Sequence, residues 1–257
     1  MSIYDHFRAE EAVLVDQALE WKEAAEQYHK MKLTDFLDPR EQQILSVIIG
    51  SQSDAAVQFF GAFEQAERKR ALIYPSYIQP EPQEFQVETL EISYASKFHT
   101  IEHRQVLGAL MSLGMKRGKY GDIVLQQERI QLAVAQEVTE YIRLNLQAVG
   151  KANISLSPVS SENILHQQEE WLEKSGTVSS MRLDVLIAEI FNLSRQKVSP
   201  LIKNGLVKVN WKVVEQPAYE CYAGDAFSVR GYGRGKLLSV DGKSKRDKWR
   251  ILYGLRK

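Results

Sequence analysis

Residues 194–210 read SRQKVSPLIKNGLVKVN, and their cations recur at spacings that would put them on one side of a helix. Arg195, Ser199 and Lys203 stand at i, i+4 and i+8, a row down one helical face. Val198, Leu201 and Ile202 share a neighbouring sector of about 100°, which must be the buried one. A fixed row of guanidinium and ammonium groups suits the binding of phosphates. Two other groupings invite chemistry but fall short of what it needs. His99, Glu102 and His103 fit the H-x-x-E-H pattern of inverted zinc proteases, yet Thr100 is the better helix cap and leaves His99 outside the helix. Residues 114–121, GMKRGKYG, are glycine-rich like a nucleotide loop, but three residues rather than four separate Gly114 and Gly118, and Tyr120 follows Lys119 where Ser or Thr is needed. Neither grouping gives reason to expect a metal or a cofactor. GYGRGK at residues 231–236 is too short for a dinucleotide loop.

The elements that must hold this cationic row belong to a chain of 257 residues with formal net charge +0, 44% hydrophobic and 26% charged, as in a globular protein. The neutral total hides a segregation. Residues 1–80 carry 8 basic and 13 acidic side chains (net −5), residues 81–180 carry 9 and 13 (net −4), and residues 181–257 carry 16 and 7 (net +9). Such a field attracts polyanions before any specific contact forms. The single cysteine, Cys221, excludes an internal disulfide and a multi-cysteine zinc site. No run reaches the ~18 apolar residues of a membrane span, and the start MSIYDHFRAEEAVLVD lacks a basic stretch leading into an apolar one, so a cytoplasmic protein is expected.

Along the chain, residues 1–75 read as helices, with Asp38 capping a helix that has Pro39 in its first turn, and residues 54–73 as another helix. The proline-containing run 74–82 is a linker by composition. Beyond it QVETLEISY alternates as a strand, TIEHRQVLGALMSLG reads as a helix, DIVLQ and RIQLAVA as strands, QEVTEYIRLNLQAVG as a helix and ANISLSP as a strand. That order is the one used by RNA-recognition motifs, although their aromatic strand signature is missing. A connecting helix ending near Lys174 and a hinge at SGTVSS follow. MRLDVLIAEIFN then makes an apolar stripe, Ser194 is placed to cap the next helix, Gly205 to end it, and LVKVN to begin a strand. The last hairpin is expected to turn at Asp241 and Gly242, with Trp249 and Tyr253 sharing one strand face, for packing or, alternatively, for stacking on bases.

The stretch from Met181 to Asn210, together with AGDAFSV, resembles the S-four RNA-binding domain. The resemblance is carried by Arg182, Leu183 and Asp184, by Ser194 and Arg195, by Gly205, Val207 and Val209, and by Gly224 and Asp225. It implies a two-helix platform beside a small sheet, reading structured RNA by shape and phosphate position. By family role Arg182 and Arg195 are the principal phosphate contacts, supported by Lys197 and Lys203, with Ser194, Lys208, Lys212 and Arg230 on the same domain. Two departures stand out: Trp211 follows Asn210 where the family has glycine, and Pro200 lies inside the second helix, where it removes a hydrogen bond at a cost of ~3 kcal/mol. The tripeptide at Arg182 is also similar to one in pseudouridine synthases, but the histidine before it and the Thr-Ser-Gly after it are absent, so Asp184 is expected to orient a basic side chain.

Over its whole length, with HRQVLGALMSLGMKRGKYGDI as a second match, the chain is similar to the YlmH family. That implies an α+β protein with a helical N-terminal part (1–75), an RRM-like split α/β middle domain (76–160), a connecting helix and hinge (161–178), and an S-four-type domain with a basic hairpin extension (179–257). It further implies a non-enzymatic RNA-binding protein with rRNA and tRNA as partners, associated with the large ribosomal subunit, peptidyl-tRNA and the rescue of stalled translation. Lys116, Arg117 and Lys119, with Tyr120 to stack on a base, are a second expected RNA contact, and Lys243, Lys245 and Arg246 add charge on the last hairpin. The acidic N-terminal helices are a possible site for a protein partner. The alternative is an RNA-modifying enzyme with its catalytic residues in 1–160.

Overall fold

The computed structural model describes residues 7, 11–51, 53–166, 171–244 and 247–256. The chain divides into two compact units, residues 1–167 and 168–257. Among the described residues no helix is long and apolar enough to cross a membrane.

The first unit opens with α1 (Ala12–Tyr28), β1 (Lys32–Leu37), α2 (Pro39–Ile49), β2 (Ala55–Phe60) and β3 (Lys69–Pro75). Asp38 starts α2 as expected: its carboxylate accepts from the Glu41 backbone N–H and the Glu41 side chain accepts from the Asp38 N–H. Ile44, Leu45 and Ile49 of α2 pack with Val15, Ala18 and Ala25 of α1 over Ala71 and Ile73 of β3. The helix expected over 54–73 is instead an antiparallel pair of strands in a three-stranded sheet, ordered β1-β3-β2. The central strand β3 is buried on both faces from Arg70 to Pro75, so its sequence lacks the alternation that marks a half-exposed strand.

The middle part runs β4 (Val87–Tyr94), α3 (His103–Ser112), β5 (Tyr120–Gln126), β6 (Arg129–Ala135), α4 (Thr139–Asn145), β7 (Ala148–Val149) and β8 (Ala152–Pro158). Its antiparallel sheet, β5-β6-β4-β8-β7, has the strand order of the split α/β sandwich. Leu90, Ile92, Ile130 and Leu132 meet Val106, Leu110 and Ile142 on the helical face. Helix α3 begins at His103 with Glu102, not Thr100, at its cap, which leaves His99 outside as expected.

The second unit holds β9 (Leu172–Val178), α5 (Leu183–Ile190), α6 (Arg195–Lys203), β10 (Val207–Val209), β11 (Lys212–Val213), β12 (Ala226–Val229), β13 (Gly233–Lys243) and β14 (Trp249–Arg256). They form a six-stranded antiparallel sheet, β11-β10-β12-β13-β14-β9, with α5 and α6 packed on one face. The connecting helix expected to end near Lys174 is corrected: Leu172–Val178 is the edge strand β9, paired along β14 from Val178↔Trp249 to Leu172↔Leu255. Ser175, Gly176 and Thr177 are poor helix formers, and a Cβ on Gly176 would meet the carboxylate end of Glu189, which would have to move aside. The last hairpin does not turn at Asp241 and Gly242: Lys243 still pairs with Trp249, the Ser244 N–H donates to Lys248 O (2.7 Å), and Asp241 and Gly242 fall in an irregular part of β13 where the register with β14 shifts. Trp249 and Tyr253 pack into the core with Ile251, as expected.

Candidate nucleic-acid interface

Arg182 stands at the N-cap of α5. The loop that follows β11 closes that helix end: the N–H groups of Leu183 and Asp184 donate to the carbonyls of Tyr219 (2.8 Å) and Pro217 (3.0 Å), and Cys221 N–H donates to Met181 O (3.0 Å). These first amides are therefore already satisfied within the fold. The Arg182 guanidinium reaches over its own helix start and donates from Nε and Nη2 to both Asp184 oxygens, each at 3.0 Å. Asp184 thus orients a basic side chain, and the pair cancels much of the local field while leaving other guanidinium N–H groups for a phosphate. Cys221, buried in the closing loop, has its thiol pKa pushed up to about 12 by burial, with Asp225 and Glu220 adding repulsion.

Arg195 opens α6. Its Nη2 donates to Ser179 Oγ at 3.1 Å, which fixes the guanidinium without neutralising it, because the partner is a hydroxyl. It lies beside Ser179, Asn192 and Lys248 on an open depression of about 320 Å³ that Glu189 also lines. Ser194 occupies the N-cap position, but its hydroxyl caps nothing; the Ser194 carbonyl takes the N–H of Lys197 and Val198. Val198 and Ile202 are fully buried and Leu201 half-buried, so the expected sector is the packed one, and Arg195, Lys197 and Lys203 are exposed. The helix runs through Pro200 to Lys203, and Gly205, at φ 68°, ends it.

Between β10 and β11 the turn has two residues, Asn210 at φ 48° and Trp211 at φ 64°, both left-handed as in a type I′ hairpin. The turn keeps the tightness for which the family uses glycine and imposes the strained backbone on tryptophan. Asn210 is locked by its own side chain, which donates to Asp225 (2.7 Å) and accepts from the Ala226 N–H (2.9 Å). This clasp, and Ser179 beneath Arg195, escaped the sequence reading; the Asn-x and Gly-Asp turn residues were the only local signal. Lys212 is paired with the inward-facing Val209 and so shares the helical side of the sheet, Lys208 projects from the opposite face, and Arg230 is exposed after β12. Lys243 lies over the Trp249 ring at 5.4 Å; Lys245 and Arg246 lie outside the described residues.

The second contact expected in the middle part is largely absorbed into the fold. Tyr120 is 1% exposed and its ring carries the Arg117 guanidinium at 4.5 Å, so it presents no face to a base. Burial, with repulsion from Arg68, pushes the Arg117 pKa down, and its Nη1 donates to Tyr120 O at 2.6 Å. Lys119 bridges Asp35 (2.6 Å) and Glu137 (3.0 Å), and the Asp35 hydrogen bond raises its pKa against the cost of burial. Lys116 alone of this group is exposed with no such partner. The loop is a joint: Gly121 admits the Phe36 ring, Asp122 accepts the N–H of Glu67 (2.6 Å) and Arg68 (3.1 Å), and buried Arg70 bonds Thr34 O (2.7 Å) and Glu137 (3.0 Å). No local sequence rule says which side of a basic turn will be covered.

The joint also covers the sheet face that RNA-recognition motifs leave open for bases. Val124, Ala133 and Ala135 pack there under Phe36, Phe63, Ala66 and Leu165. Gln131, 0% exposed, donates to Glu91 (2.9 Å) and Asn163 O (3.0 Å) and accepts from the Leu165 N–H (2.9 Å). The missing aromatic signature thus has a structural reason.

Comparison with known proteins agrees with this architecture. Residues 10–78 match the family model described as "YlmH, N-terminal", residues 80–163 "Putative RNA-binding domain in YlmH", and residues 181–227 "S4 domain". The chain is 46% identical over 251 residues, 98% of its own length and 97% of the other's, to "Ribosome-associated protein quality control protein P2" of Bacillus subtilis (strain 168). The solved structure of "Cell division protein ylmH from Streptococcus pneumoniae" is 31% identical, with a TM-score of 0.53, over 63% of this chain and 99% of that one. On full-length identity and three matching domain models, the chain belongs to the YlmH family.

Proposed function

We propose that this protein binds structured RNA of the ribosome, docking on rRNA and tRNA at the large subunit beside peptidyl-tRNA during rescue of stalled translation. One observation carries the reading: Arg195, exposed on the first turn of α6, is oriented by a hydroxyl and keeps its charge, within a segment of net charge +9. Phosphate contacts of this kind fix register and orientation rather than sequence. The name of the Bacillus subtilis relative, which places that protein at the ribosome in quality control, supports the choice of RNA. The S-four domain at 179–257 supplies the anchor, and the parts at 1–75 and 76–160 carry the neighbouring surface into place. The action is placement in the cytoplasm rather than catalysis; Asp184, the carboxylate of the synthase-like tripeptide, is engaged at both oxygens by Arg182. Titration of the full chain with purified large and small ribosomal subunits, with and without peptidyl-tRNA, tests this. Tighter binding to the large subunit bearing peptidyl-tRNA is expected; equal binding to both subunits would contradict it.

A further inference from the structure

The depression beside Arg195 holds charges that do not pair with one another. It lies where the end of β9, the last turn of α5, the first turn of α6 and Lys248, just before β14, come together, with a volume of about 320 Å³. Glu189 reaches it from the last turn of α5, half-buried, with its carboxylate over Gly176 of β9, where an added Cβ would meet it. That carboxylate makes no ion pair or hydrogen bond with the described residues, although the exposed cations Arg195 and Lys248 line the same depression. The Lys248 ammonium is equally without an ionic partner among them, and the Arg195 guanidinium is held by Ser179 Oγ at 3.1 Å. The helix end does not stabilise Glu189, because the dipole there disfavours a negative group. Buried Tyr253, whose pKa is raised by burial and then by the Glu189 charge, shares no hydrogen bond with it. An ionised carboxylate can only accept, so Glu189 stands ready for a donor that the fold does not supply.

We propose that this depression seats one nucleotide of RNA, its phosphate on Arg195 and Lys248 and its ribose 2′-hydroxyl donating to Glu189, so that Glu189 selects RNA over DNA. This rests on the RNA-binding reading above and adds the residue that recognises the sugar. A phosphate alone would be drawn by the two cations and repelled by the acid. The 2′-hydroxyl, a donor as well as an acceptor, places a hydrogen between the carboxylate and the nucleotide. Among the described residues no aromatic ring lines the depression, and Thr177, Ser179 and Asn192 add hydroxyls and an amide, a setting for sugar and phosphate rather than for a stacked base. Thr177, Ser179 and Lys248 lie outside the residues that match the S-four model, so β9 and the last hairpin complete the seat.

The test measures binding of the full chain to an RNA hairpin and to the DNA hairpin of the same sequence, for the wild type and for Glu189→Ala, Gly176→Ala, Lys248→Ala and Arg195→Ala. Thermal melting accompanies each variant. Gly176→Ala moves the Glu189 carboxylate aside without removing it, and so decides the matter if Glu189→Ala fails to fold. The wild type should prefer RNA, and Glu189→Ala should lower the RNA-to-DNA affinity ratio by about tenfold, the worth of one hydrogen bond to a charged group, with DNA bound no more weakly than before. Gly176→Ala should lower the ratio in the same direction. Lys248→Ala and Arg195→Ala should each weaken both hairpins alike and reduce the log–log salt slope by about 0.7–0.9. A wild type without preference, or a ratio unchanged in folded Glu189→Ala and Gly176→Ala proteins, overturns this proposal alone as long as Arg195→Ala weakens both hairpins. Wild-type binding of both hairpins by Lys248→Ala removes the phosphate seat and overturns it likewise. RNA affinity unchanged in Arg195→Ala overturns it together with the RNA-binding reading.

Discussion

Alanine at Gly121 and alanine at Gly108 should move the stability of the first unit in opposite directions. Gly121 sits in β5, where a Cβ would lie 2.7 and 3.0 Å from the Phe36 ring and 3.2 Å from the Ala133 Cβ. Phe36 is 1% exposed and Ala133 fully buried, so neither can yield without disturbing the packing that covers the sheet. Gly121 is not among the glycines of positive φ, so the cost is steric, about 1–3 kcal/mol as for other overpacked cores. Gly108 lies on the exposed side of α3 with nothing within 4 Å of its Cβ, and alanine there gains about 0.8–1 kcal/mol in helix propensity. Calorimetry of the full chain should therefore show the first unit's transition lowered by several degrees in Gly121→Ala and raised by about 2–4 °C in Gly108→Ala. A neutral or stabilising Gly121→Ala would refute the account, because Phe36 would then not seal the face that related folds use for bases.

Three further outcomes follow from the second unit and the proposed function. Trp211→Gly relieves a left-handed backbone worth about 1–2 kcal/mol at the price of about 0.5–1 kcal/mol of chain entropy, so urea unfolding should show a small net gain; a clear loss would mean the indole's packing outweighs the strain. Cys221 should resist thiol reagents at pH 8 until the unit unfolds. Because its folded pKa, about 12, is raised above the unfolded value near 9, its contribution is intact below about pH 9 and falls by about 1.4 kcal/mol per unit as pH rises toward 12, so Cys221→Ala should flatten the alkaline limb of a stability profile. RNA recovered after incubation with the protein should be chemically unchanged by nucleoside mass spectrometry; a new modified nucleoside, lost on substitution of one carboxylate, would replace placement with catalysis.

What the sequence made legible was what local rules decide. Asp38 with Pro39 announced α2, Gly205 ended α6, and the order of strands and helices from Val87 to Pro158 specified the sandwich, because β4, α3 and β8 each keep a partly exposed face and so a visible period, although β6 is buried on both faces. The failures share a cause. β3 is buried on both sides and β9 is held by β14, about 75 residues away in sequence, so their strand character lies in partners rather than in pattern. Tyr120 reads as an available ring and is a core residue because Arg117 and the joint cover it. At Arg182 the two-residue spacing to Asp184 was visible, but that the helix start would bring them into a two-point pair was not. The glycine-to-tryptophan departure at 211 is visible in the sequence, but the Asn210–Asp225 clasp that keeps the turn tight is not.

The two arginines of the platform differ in a way that makes the central claim measurable. Arg182 is tied to a carboxylate and Arg195 to a hydroxyl, so Arg195 should carry more of the phosphate contact. Binding of Arg195→Ala and Arg182→Ala to large ribosomal subunits, measured across a salt series with melting curves for both, tests this most directly. The account predicts a folded Arg195→Ala protein with weaker binding and a log–log slope reduced by about 0.7–0.9, and a smaller effect for Arg182→Ala. A well-folded Arg195→Ala protein with unchanged affinity and slope would show that the cations of residues 194–210 form a solvated surface and do not hold RNA.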